Sequence, residues 1–463
     1  MEALTPVDLL VAGGLVVTVD PGRRVLADGA VAVKDGRIVE AGKAAELARR
    51  YRAARTIDAR DGVVLPGLVD GHVHMTAEHL ARGVAPDDAG HRWMMDWAVP
   101  LYAALTPEEE RTGALLSCLE MMRNGTTSFG EGATCRDMAA VAGAVETAGL
   151  RGTLGLWTWD RVPEPPVFRQ TVEQALGRTA DAIRRFHGTA GGRVRVAAAC
   201  IHPVLCSKEL LVGLRDLARQ HGVTFAYHHA SSREPVDQYV ATHGRRPLLD
   251  WADLGILTPN VRATHMVHLD DEELKLLVAS GATVIHCPQT VFRLAYGASR
   301  MGRFPEMLAA GVTVALGTDG VNSSDNQDLF KAMQIAAGLF KDAREDPTLV
   351  PAERAIEMAT LAGARTLGLE REIGSLEAGK QADLIVLSRR APEMNPLVDV
   401  ANTLVYGTDG RNVDTVVVGG RVVMEGRRAL TIDEERLYAE VREIAPKLIA
   451  RAGLRPRPRW PVL

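Results

Sequence analysis

Two histidines separated by one residue, His72 and His74, end an apolar run that begins at Val63. A run rich in valine and leucine is typical of a strand buried on both faces, and residues two apart on a strand point to the same side. The two imidazoles would therefore lie side by side, where they could bind zinc, iron or cobalt. Because such a pair also arises by chance, the metal hypothesis depends on the residues that end later strands.

Further histidines and one aspartate end later apolar runs of the chain. They are His228, His229, His265, His286 and Asp319. Each histidine taken singly is most simply a partly buried residue of the core, but six of the 13 histidines lie at the ends of four predicted strands. A set made of His72, His74, His228 and Asp319 would supply three neutral nitrogens and one carboxylate. Such a set suits a divalent metal with one open position for water.

A metal in this position would supply a nucleophile for hydrolysis. It would lower the pKa of bound water from about 15.7 toward 7 and make hydroxide available at neutral pH. His265 would hydrogen-bond that hydroxide or the substrate oxygen, and Asp319 would take the water's proton and pass it to the leaving group. Because neighbouring residues on a strand face opposite sides, only one of His228 and His229 is expected to reach the metal.

The middle of the chain has the pattern of a (β/α)8 barrel, in which apolar runs alternate with helix-like segments. Eight strands are predicted, at residues 63–74, 126–132, 151–160, 193–203, 223–230, 261–267, 282–288 and 312–320. Helices are predicted between them at 107–125, 207–222 and 270–281, because these segments begin with a cap and acidic residues and end near glycine. The carboxyl ends of the barrel strands are expected to carry the site.

The two ends of the chain contain short alternating β runs instead, separated by glycine and aspartate turns. Valine- and glycine-rich stretches near residues 11 and 417 are similar to each other. We predict that residues 1–62 and 371–463 build one small β-sandwich, with an amphipathic helix at about 433–452, and that residues 63–370 form the barrel. Residues 49–56 are predicted to form a helical turn.

Composition excludes several other classes of protein. The 463 residues carry a formal net charge of −4 without a long basic block, which argues against a nucleic-acid partner. No run of about 18 apolar residues is present, so we expect no membrane span. The five widely spaced cysteines and the absence of a signal-like N-terminus predict a cytoplasmic protein. We expect its binding partner to be a small-molecule substrate.

Several motifs together resemble the amidohydrolase superfamily. They are Pro66-Gly-Leu-Val-Asp-Gly-His-Val-His74, Ala263-Thr-His265, Ile285-His286-Cys-Pro and Gly317-Thr-Asp319-Gly. The resemblance covers nearly the whole chain and is strongest to the branch that holds s-triazine chlorohydrolases and adenosine- or cytosine-type deaminases. It implies one divalent metal, zinc first, with iron, cobalt or manganese as alternatives, and a homo-oligomer. It also implies that His72, His74, His228 and Asp319 hold the metal and that His265 and Asp319 are catalytic.

Two departures from the family pattern bear on the reaction. The predicted strand at 193–203 lacks the lysine that bridges two metals in dinuclear members, which implies a mononuclear site. Deaminases of this branch usually carry a glutamate three residues after the metal-binding histidine of strand five, where this chain has Ser231. A serine cannot protonate a ring nitrogen at neutral pH, although Glu234 could reach in from the loop.

The branch that this chain resembles also includes relatives that hydrolyse phenylurea herbicides and thiocarbamates, and these reactions need no ring protonation. The resemblance therefore implies hydrolysis of an amide-like C–N bond by attack on a carbonyl, in a urea, carbamate or amide such as a phenylurea herbicide or a related xenobiotic. The alternative is an aminohydrolase or chlorohydrolase of an N-heterocycle such as an s-triazine, purine or pyrimidine. A metal-binding protein that has lost catalysis is less favoured, because no ligand position is missing. The candidate substrate-binding residues are His286, Trp93, Trp97, Trp159 and Asn322. Their tryptophans could form an apolar wall or could simply pack between helix and barrel.

Overall fold

The computed structural model describes residues 4–162 and 164–460, with the side chain of His91 left out. The strands are β1 (Thr5–Val17), β2 (Val25–Lys34), β3 (Arg37–Lys43), β4 (Tyr51–Asp58), β5 (Gly62–Pro66), β6 (Leu68–His74), β7 (Thr126–Glu131), β8 (Arg151–Gly155), β9 (Val194–Ala199), β10 (Phe225–His229), β11 (Val261–His265), β12 (Thr283–His286), β13 (Val314–Leu316), β14 (Asp319–Gly320), β15 (Leu384–Ser388), β16 (Val413–Val418), β17 (Arg421–Glu425) and β18 (Arg428–Ala429).

The helices lie mostly between the strands of the central segment. They are α1 (Ala44–Arg50), α2 (Val99–Ala104), α3 (Pro107–Arg123), α4 (Met138–Ala148), α5 (Val172–Phe186), α6 (Thr189–Gly192), α7 (Lys208–His221), α8 (Arg233–His243), α9 (Pro247–Asp253), α10 (Asp271–Ser280), α11 (Pro288–Arg293), α12 (Ala298–Met301), α13 (Phe304–Ala309), α14 (Leu329–Arg344), α15 (Ala352–Met358), α16 (Leu361–Thr366), α17 (Val400–Asn402) and α18 (Glu434–Arg451).

The central sheet is parallel and closes on itself as a barrel. Its strand order is β13-β12-β11-β10-β9-β8-β7-β6-β14. The extended segment 314–320 contains both β13, which pairs with β12, and β14, which pairs with β6, so this one segment joins the two edges of the sheet. The predicted barrel is confirmed, and all eight predicted strand regions contain barrel strands.

One predicted strand, 63–74, is two strands in the structure. β5 pairs with β1 and β15 in the sheet of the termini, and only β6 belongs to the barrel. Gly67 lies between them, and a Cβ there would come within 2.1 Å of the Thr127 hydroxyl oxygen. The break escapes a periodicity analysis because every residue of β5 and of β6 is buried.

The second sheet combines strands from both ends of the chain, in the order β18-β17-β16-β15-β5-β1-β2-β3, with β4 on β1. The predicted fold class, a barrel with a separate β layer built from both termini, is therefore confirmed. The predicted helical turn at 49–56 is wrong, because α1 ends at Arg50 and β4 follows as a strand parallel to β1. β4 is mostly exposed, so its polar sequence lacks the alternation that marks a half-buried strand.

The predicted helices follow the capping rules used to place them. α3 begins with a capping box between Thr106 and Glu109, and α7 and α10 each end at a left-handed glycine. The predicted C-terminal helix is α18, whose Arg451 bonds the carbonyl oxygen of Ala104 and the carboxylate of Glu109. α18 therefore packs on the barrel at the start of α3.

Two further features bear on the expectations from composition. Across residues 4–162 and 164–460, the structure contains no helix with the length and apolar character that a membrane crossing requires. All five cysteines are buried, and none is paired in a disulfide.

Candidate metal centre and cavity

The four predicted metal ligands meet at the carboxyl ends of the barrel strands. The Nε2 atoms of His72 and His74 are 3.3 Å apart, and Nε2 of His228 lies 3.1 and 3.2 Å from them. Oδ1 of Asp319 lies 3.5 Å from Nε2 of His72 and 3.3 Å from Nε2 of His74. Three side chains from β6 and β10 and one from β14 thus point at a common centre.

Hydrogen bonds at the opposite ring nitrogens direct the lone pairs of two imidazoles toward this centre. Nδ1 of His228 lies 2.6 Å from the carbonyl oxygen of Ile201, so it must donate, and Nε2 is left unprotonated. Nδ1 of His74 lies 3.1 Å from the hydroxyl of Thr134. That hydroxyl donates its own proton to the buried carboxylate of Glu131, so it accepts from His74.

The donor set fits one divalent metal. Zn–N bonds of about 2.0–2.1 Å in tetrahedral geometry place two nitrogens about 3.3 Å apart, which matches the separations observed here. Burial lowers the pKa of His72 to about 3. Burial opposes protonation of His74 as well, but the nearby carboxylates of Asp319, Glu78 and Glu131 raise its pKa to about 9. The surrounding negative charge therefore favours a cation at this point.

Asp70 holds in register the two strand ends that carry the candidate metal ligands. Its carboxylate, fully buried, accepts hydrogen bonds from the main-chain N–H groups of His72 and Thr318, each at 3.1 Å, and from the Thr318 hydroxyl at 2.6 Å. Thr318 directly precedes Asp319. The carboxylate thus ties β6 to the segment that closes the barrel, a role that spacing alone did not indicate.

His265, at the end of β11, lies on the other side of Asp319. Its Nε2 is 3.8 Å from Oδ2 of Asp319, and burial lowers the pKa of its imidazole. One potential ligand atom from each of His265, Cys287 and Asp319 lies within 4.8 Å of the other two, which is close enough for a second metal. Burial raises the pKa of the Cys287 thiol well above its usual value, which disfavours the thiolate that binds metals.

The neighbouring histidines face elsewhere. His229, fully buried, points away from the centre, with Nδ1 3.4 Å from the indole nitrogen of Trp251. This arrangement agrees with the choice of His228 over His229. His286 is also fully buried and stacks on Phe304, with 3.9 Å between the ring centroids.

A cavity of about 310 Å³ opens over the cluster. Its apolar wall includes Trp93, Met94, Tyr102, Trp157, Leu205 and Tyr296. Trp93 donates through its indole N–H to the Tyr296 hydroxyl at 2.9 Å, which fixes one side of the wall. Among the described residues that line the cavity there is no lysine or arginine. The cavity thus suits a small and largely apolar molecule that carries no negative charge.

Of the five residues proposed from the sequence to bind substrate, only Trp93 lines this cavity. Trp159 is completely buried behind Trp157, with 5.0 Å between the ring centroids. Trp97 faces the Arg457 guanidinium at 5.7 Å. β8 ends at Gly155, so the backbone at 157–159 is irregular and the alternation assumed for these tryptophans does not apply.

Asn322 and His286 lie outside the cavity lining as well. Oδ1 of Asn322 accepts a hydrogen bond from the main chain of Gly83 at 3.0 Å, so the side chain fastens the loop after β6. His286 packs below the cluster against Phe304. Loop geometry and strand alternation decide these positions, and neither is visible in the spacing of the residues.

One cavity residue that the sequence analysis missed is Glu78. It lies in the short 3-10 turn Ala77–Ala81, is 1% exposed, and accepts hydrogen bonds from the Asn322 main chain at 2.9 Å and the Tyr102 hydroxyl at 3.2 Å. Burial raises the pKa of its carboxyl to about 7. The available signal was an acid within a mostly apolar stretch, four residues after His74. Glu234, in contrast, is exposed on α8 and does not line the cavity.

A larger groove, about 720 Å³, lies at the opposite ends of the barrel strands. It is lined by residues at the starts of strands, among them Thr153, Arg195 and Thr224. None of the clustered imidazoles or Asp319 belongs to its lining. Because barrel chemistry is carried by the carboxyl ends of the strands, the smaller cavity is the candidate site.

Two protein-family models match the chain. The model described as the amidohydrolase family matches residues 63–423, a range that contains the whole barrel and the metal cluster. A model of the imidazolonepropionase-like composite domain of bacteria matches residues 29–54, within the sheet of the termini.

Curated relatives of similar length include deaminases. The chain is 39% identical to a 5-methylthioadenosine/S-adenosylhomocysteine deaminase of Syntrophobacter fumaroxidans, over 95% of this chain and 98% of that protein. It is 34% identical to a 5′-deoxyadenosine deaminase of Methanosarcina mazei, over 96% of this chain and 99% of that protein.

Solved structures of two zinc-containing enzymes are similar to this chain over nearly its whole length. An adenosine deaminase of Xanthomonas campestris with bound zinc has a TM-score of 0.91 and 31% identity, covering 97% of this chain and 100% of that chain. An atrazine chlorohydrolase of Arthrobacter aurescens complexed with zinc has a TM-score of 0.86 and 24% identity, covering 95% and 100%, a likeness that shows the fold alone. None of these relatives and structures is named for action on a phenylurea.

Proposed function

Because this chain belongs to the amidohydrolase family and is a metal-dependent hydrolase of C–N bonds, we propose that it deaminates the adenine base of a 5′-modified adenosine, such as 5′-deoxyadenosine or 5-methylthioadenosine. The observation that carries the proposal is the 39% identity to a named deaminase of such substrates over 95% of the chain. From the sequence alone, ring deamination was the alternative to hydrolysis of an open-chain carbonyl, and the comparisons reverse that order.

We propose His72, His74, His228 and Asp319 as the ligands of one divalent metal. Zinc is the first candidate, since two structural neighbours carry it. When bound, such a metal lowers the pKa of water toward 7 and polarises the bond under attack. The proposal draws on the match between the nitrogen separations and tetrahedral zinc.

Asp319 and His265 have the proposed catalytic roles. Burial alone would raise the pKa of the Asp319 carboxyl, but His72 and His74 hold it well below its usual value. Asp319 is therefore ionised and ready to accept a proton from the attacking water and pass it to the leaving amine. His265, neutral because burial lowers its pKa, is placed to donate a hydrogen bond to the oxygen that adds to the ring.

The cavity wall supports a nucleoside with an apolar 5′ group. Trp93, Met94, Trp157 and Leu205 provide surface for a base and a small 5′ substituent such as a methyl or methylthio group. The lack of lysine and arginine among the described lining residues disfavours a 5′-phosphate. We therefore expect nucleosides, rather than nucleotides, as substrates.

The test is ammonia release by purified protein of measured zinc content. The panel contains 5′-deoxyadenosine, 5-methylthioadenosine, S-adenosylhomocysteine, adenosine and AMP, with cytosine, atrazine and the phenylurea diuron as comparators. We expect ammonia and an equal amount of the inosine-type product from the 5′-modified nucleosides, and much less from AMP. Absence of ammonia from every adenine compound would overturn the proposal.

The second candidate remains hydrolysis of an open-chain urea or carbamate. Ser231, which lines the cavity in place of the glutamate expected of a deaminase, is the observation that favours it. Release of aniline from diuron without ammonia from the nucleosides would establish this candidate instead.

Three expectations from the sequence stay proposals. We propose a cytoplasmic location and a homo-oligomeric assembly without nucleic-acid or membrane partners. We also propose a division of the chain near residue 370 and at Gly67, rather than at residue 63, because β5 pairs in the sheet of the termini.

A further inference from the structure

Deamination of an adenine ring needs a proton donor that the family pattern does not supply in this chain. When water adds to the carbon that carries the amino group, electron density moves onto the adjacent ring nitrogen, which must be protonated. Ser231 cannot give that proton at neutral pH. Among the described residues that line the cavity, the carboxyl groups belong to Glu78 and Asp319, and the proposed function already employs Asp319.

We infer that Glu78 is the acid that protonates the ring nitrogen of the substrate, an inference that rests on the proposed deaminase function. Glu78 lines the same cavity as His265 and Asp319. It also packs against the backbone next to Asp319, because a Cβ on Gly320 would lie 2.2 Å from Oε2 of Glu78. The acid and the metal cluster are therefore held by one short stretch of backbone.

Hydrogen bonds hold the Glu78 carboxyl in one orientation. Oε2 accepts from the main-chain N–H of Asn322 at 2.9 Å, and Oε1 contacts the Tyr102 hydroxyl at 3.2 Å. Glu78 and Tyr102 come from separate elements and both line the cavity. Because the carboxyl group is already held in place, little side-chain conformational entropy is lost in reaching the transition state of proton transfer.

The surroundings of Glu78 keep its proton available near neutral pH. The charged and titratable groups that act on it are His74, Asp319 and Tyr102. Burial raises the pKa of the carboxyl most, and Asp319 raises it further, whereas His74 and the hydrogen bonds from Asn322 and Tyr102 lower it, with a pKa of about 7 as the outcome. A general acid works best with a pKa near the working pH.

The proton transfers balance without any further reactant. Water adds its oxygen to the ring carbon, one water proton goes to Asp319, and Glu78 gives its carboxyl proton to the neighbouring ring nitrogen. Asp319 passes its proton to the amino group, and the C–N bond breaks with its electron pair leaving on ammonia. The remaining hydroxyl proton returns to Glu78, which leaves a ring carbonyl. One water is consumed and one ammonia is released.

Other acids near the site are less suitable. Glu131 is buried beneath Thr134 and does not line the cavity. Glu234, on α8, is exposed and lies outside the lining. Ser231 lines the cavity at the position where deaminases of this family usually carry the glutamate. A glutamate introduced there could therefore also reach the substrate.

The experiment compares Glu78→Gln, its matched control Glu234→Gln, and the double variant Glu78→Gln/Ser231→Glu, each as the zinc-loaded full chain. With 5′-deoxyadenosine, we expect Glu78→Gln to lower kcat by about 100-fold or more, the usual contribution of a general acid. We expect Glu234→Gln to stay close to the wild type. The double variant should recover about tenfold or more over Glu78→Gln, because it restores an acid at the family position.

Two further readouts separate acid catalysis from a structural role. Zinc content and the affinity for the deaminated product, followed by the fluorescence of the cavity tryptophans, should be unchanged in Glu78→Gln. The wild-type pH profile should contain a limb in which kcat/KM falls with rising pH as Glu78 loses its proton, and this limb should be absent from the residual activity of Glu78→Gln.

The outcomes distinguish this inference from the proposed function. Ammonia release by the wild type together with wild-type kcat in Glu78→Gln would overturn the role of Glu78 and leave the deaminase proposal standing. No ammonia from the wild type would overturn both. Loss of zinc from Glu78→Gln, with no recovery in the double variant, would assign Glu78 to the structure of the centre and also overturn its role as the acid.

Discussion

The imidazole of His228 is oriented by the main chain of Ile201, whose carbonyl oxygen lies 2.6 Å from Nδ1. A carbonyl oxygen can only accept, so this contact fixes the tautomer and leaves the Nε2 lone pair for the centre shared with His72 and His74. The next residue along β10, His229, points the opposite way and contacts Trp251. Two adjacent histidines of one strand thus face the proposed metal centre and the surrounding core.

This relationship predicts opposite effects for two neighbouring substitutions. Removal of a hydrogen-bond partner of a metal ligand costs up to about 100-fold in metal affinity. Removal of the ligand itself, in His228→Asn, should therefore lower metal affinity by more than about 100-fold and abolish activity. His229→Asn should keep the metal but lower the free energy of unfolding by about 1–3 kcal/mol, because it disturbs a buried polar contact. Elemental analysis and denaturant titration measure the two quantities. Retention of zinc by His228→Asn would remove His228 from the ligand set.

Asp319→Asn should abolish turnover while the fold persists. Asparagine tolerates the left-handed backbone of this position, where φ is 64°. It cannot take a proton from water, so we expect kcat to fall by about 10³-fold or more. The measurements are kcat, circular dichroism and the urea midpoint. Near-normal activity would exclude Asp319 as the proton acceptor.

Removal of the metal should lower both activity and stability. The cluster brings three imidazoles and a carboxylate together in the interior, and one bound cation would accept a lone pair from each of them. A ligand present at about 1,000 times its Kd stabilises the folded state by about 4 kcal/mol, so apo protein should unfold at lower urea. Chelation followed by addition of zinc, iron, cobalt or manganese would show which metals restore activity and the midpoint. Full activity in metal-free protein would contradict the proposed centre.

Glu120 should make the fold acid-sensitive. Burial alone would raise the pKa of its carboxyl, but hydrogen bonds from His79 and Arg82 outweigh burial and lower the pKa to about 2. Between pH 4.5 and 2 the unfolded chain therefore binds more protons at this position than the folded chain, so stability is lost as the pH falls through this range. Glu120→Gln should cost up to about 3 kcal/mol at pH 7.

Urea titrations from pH 7 to pH 2 measure this effect. The difference in unfolding free energy between wild type and Glu120→Gln should shrink as the pH falls and vanish near pH 2. Glu443→Gln, which removes an exposed ion pair with Lys447 on α18, is the matched control and should change little at any pH. A difference between wild type and Glu120→Gln that is constant with pH would show that ionisation of Glu120 contributes nothing.

Much of the barrel and of the histidine–aspartate cluster could be predicted because their signals are local. A strand buried on both faces leaves an apolar run, and a polar residue that ends such a run stands out. This is why His72, His74, His228 and Asp319 were found from the sequence. The division between β5 and β6 could not be found, because both strands are fully buried and the pattern does not change at Gly67.

The rest of the cavity depends on contacts between distant residues. Glu78 is held by the main chain of Asn322, 244 residues away, so no spacing rule reveals it. Trp97 and Trp159 were proposed for the substrate wall, but the helical turn Met94–Ala98 and the irregular segment after β8 direct their rings elsewhere. The same limit affected the choice of reaction, since the absence of an acid at Ser231 says nothing about a carboxyl that arrives from another loop.

The pairing of β5 with β15 also constrains how the protein is made. Leu65 pairs with Ile385, about 320 residues later in the chain. At a synthesis rate of 5–20 residues per second, the ribosome needs roughly 15 to 60 s to supply that partner. During this interval β5 has an unpaired edge, which is a template for contacts with other nascent chains. Premature termination before residue 384 would therefore release a product prone to aggregation, even though every barrel strand had already been synthesised.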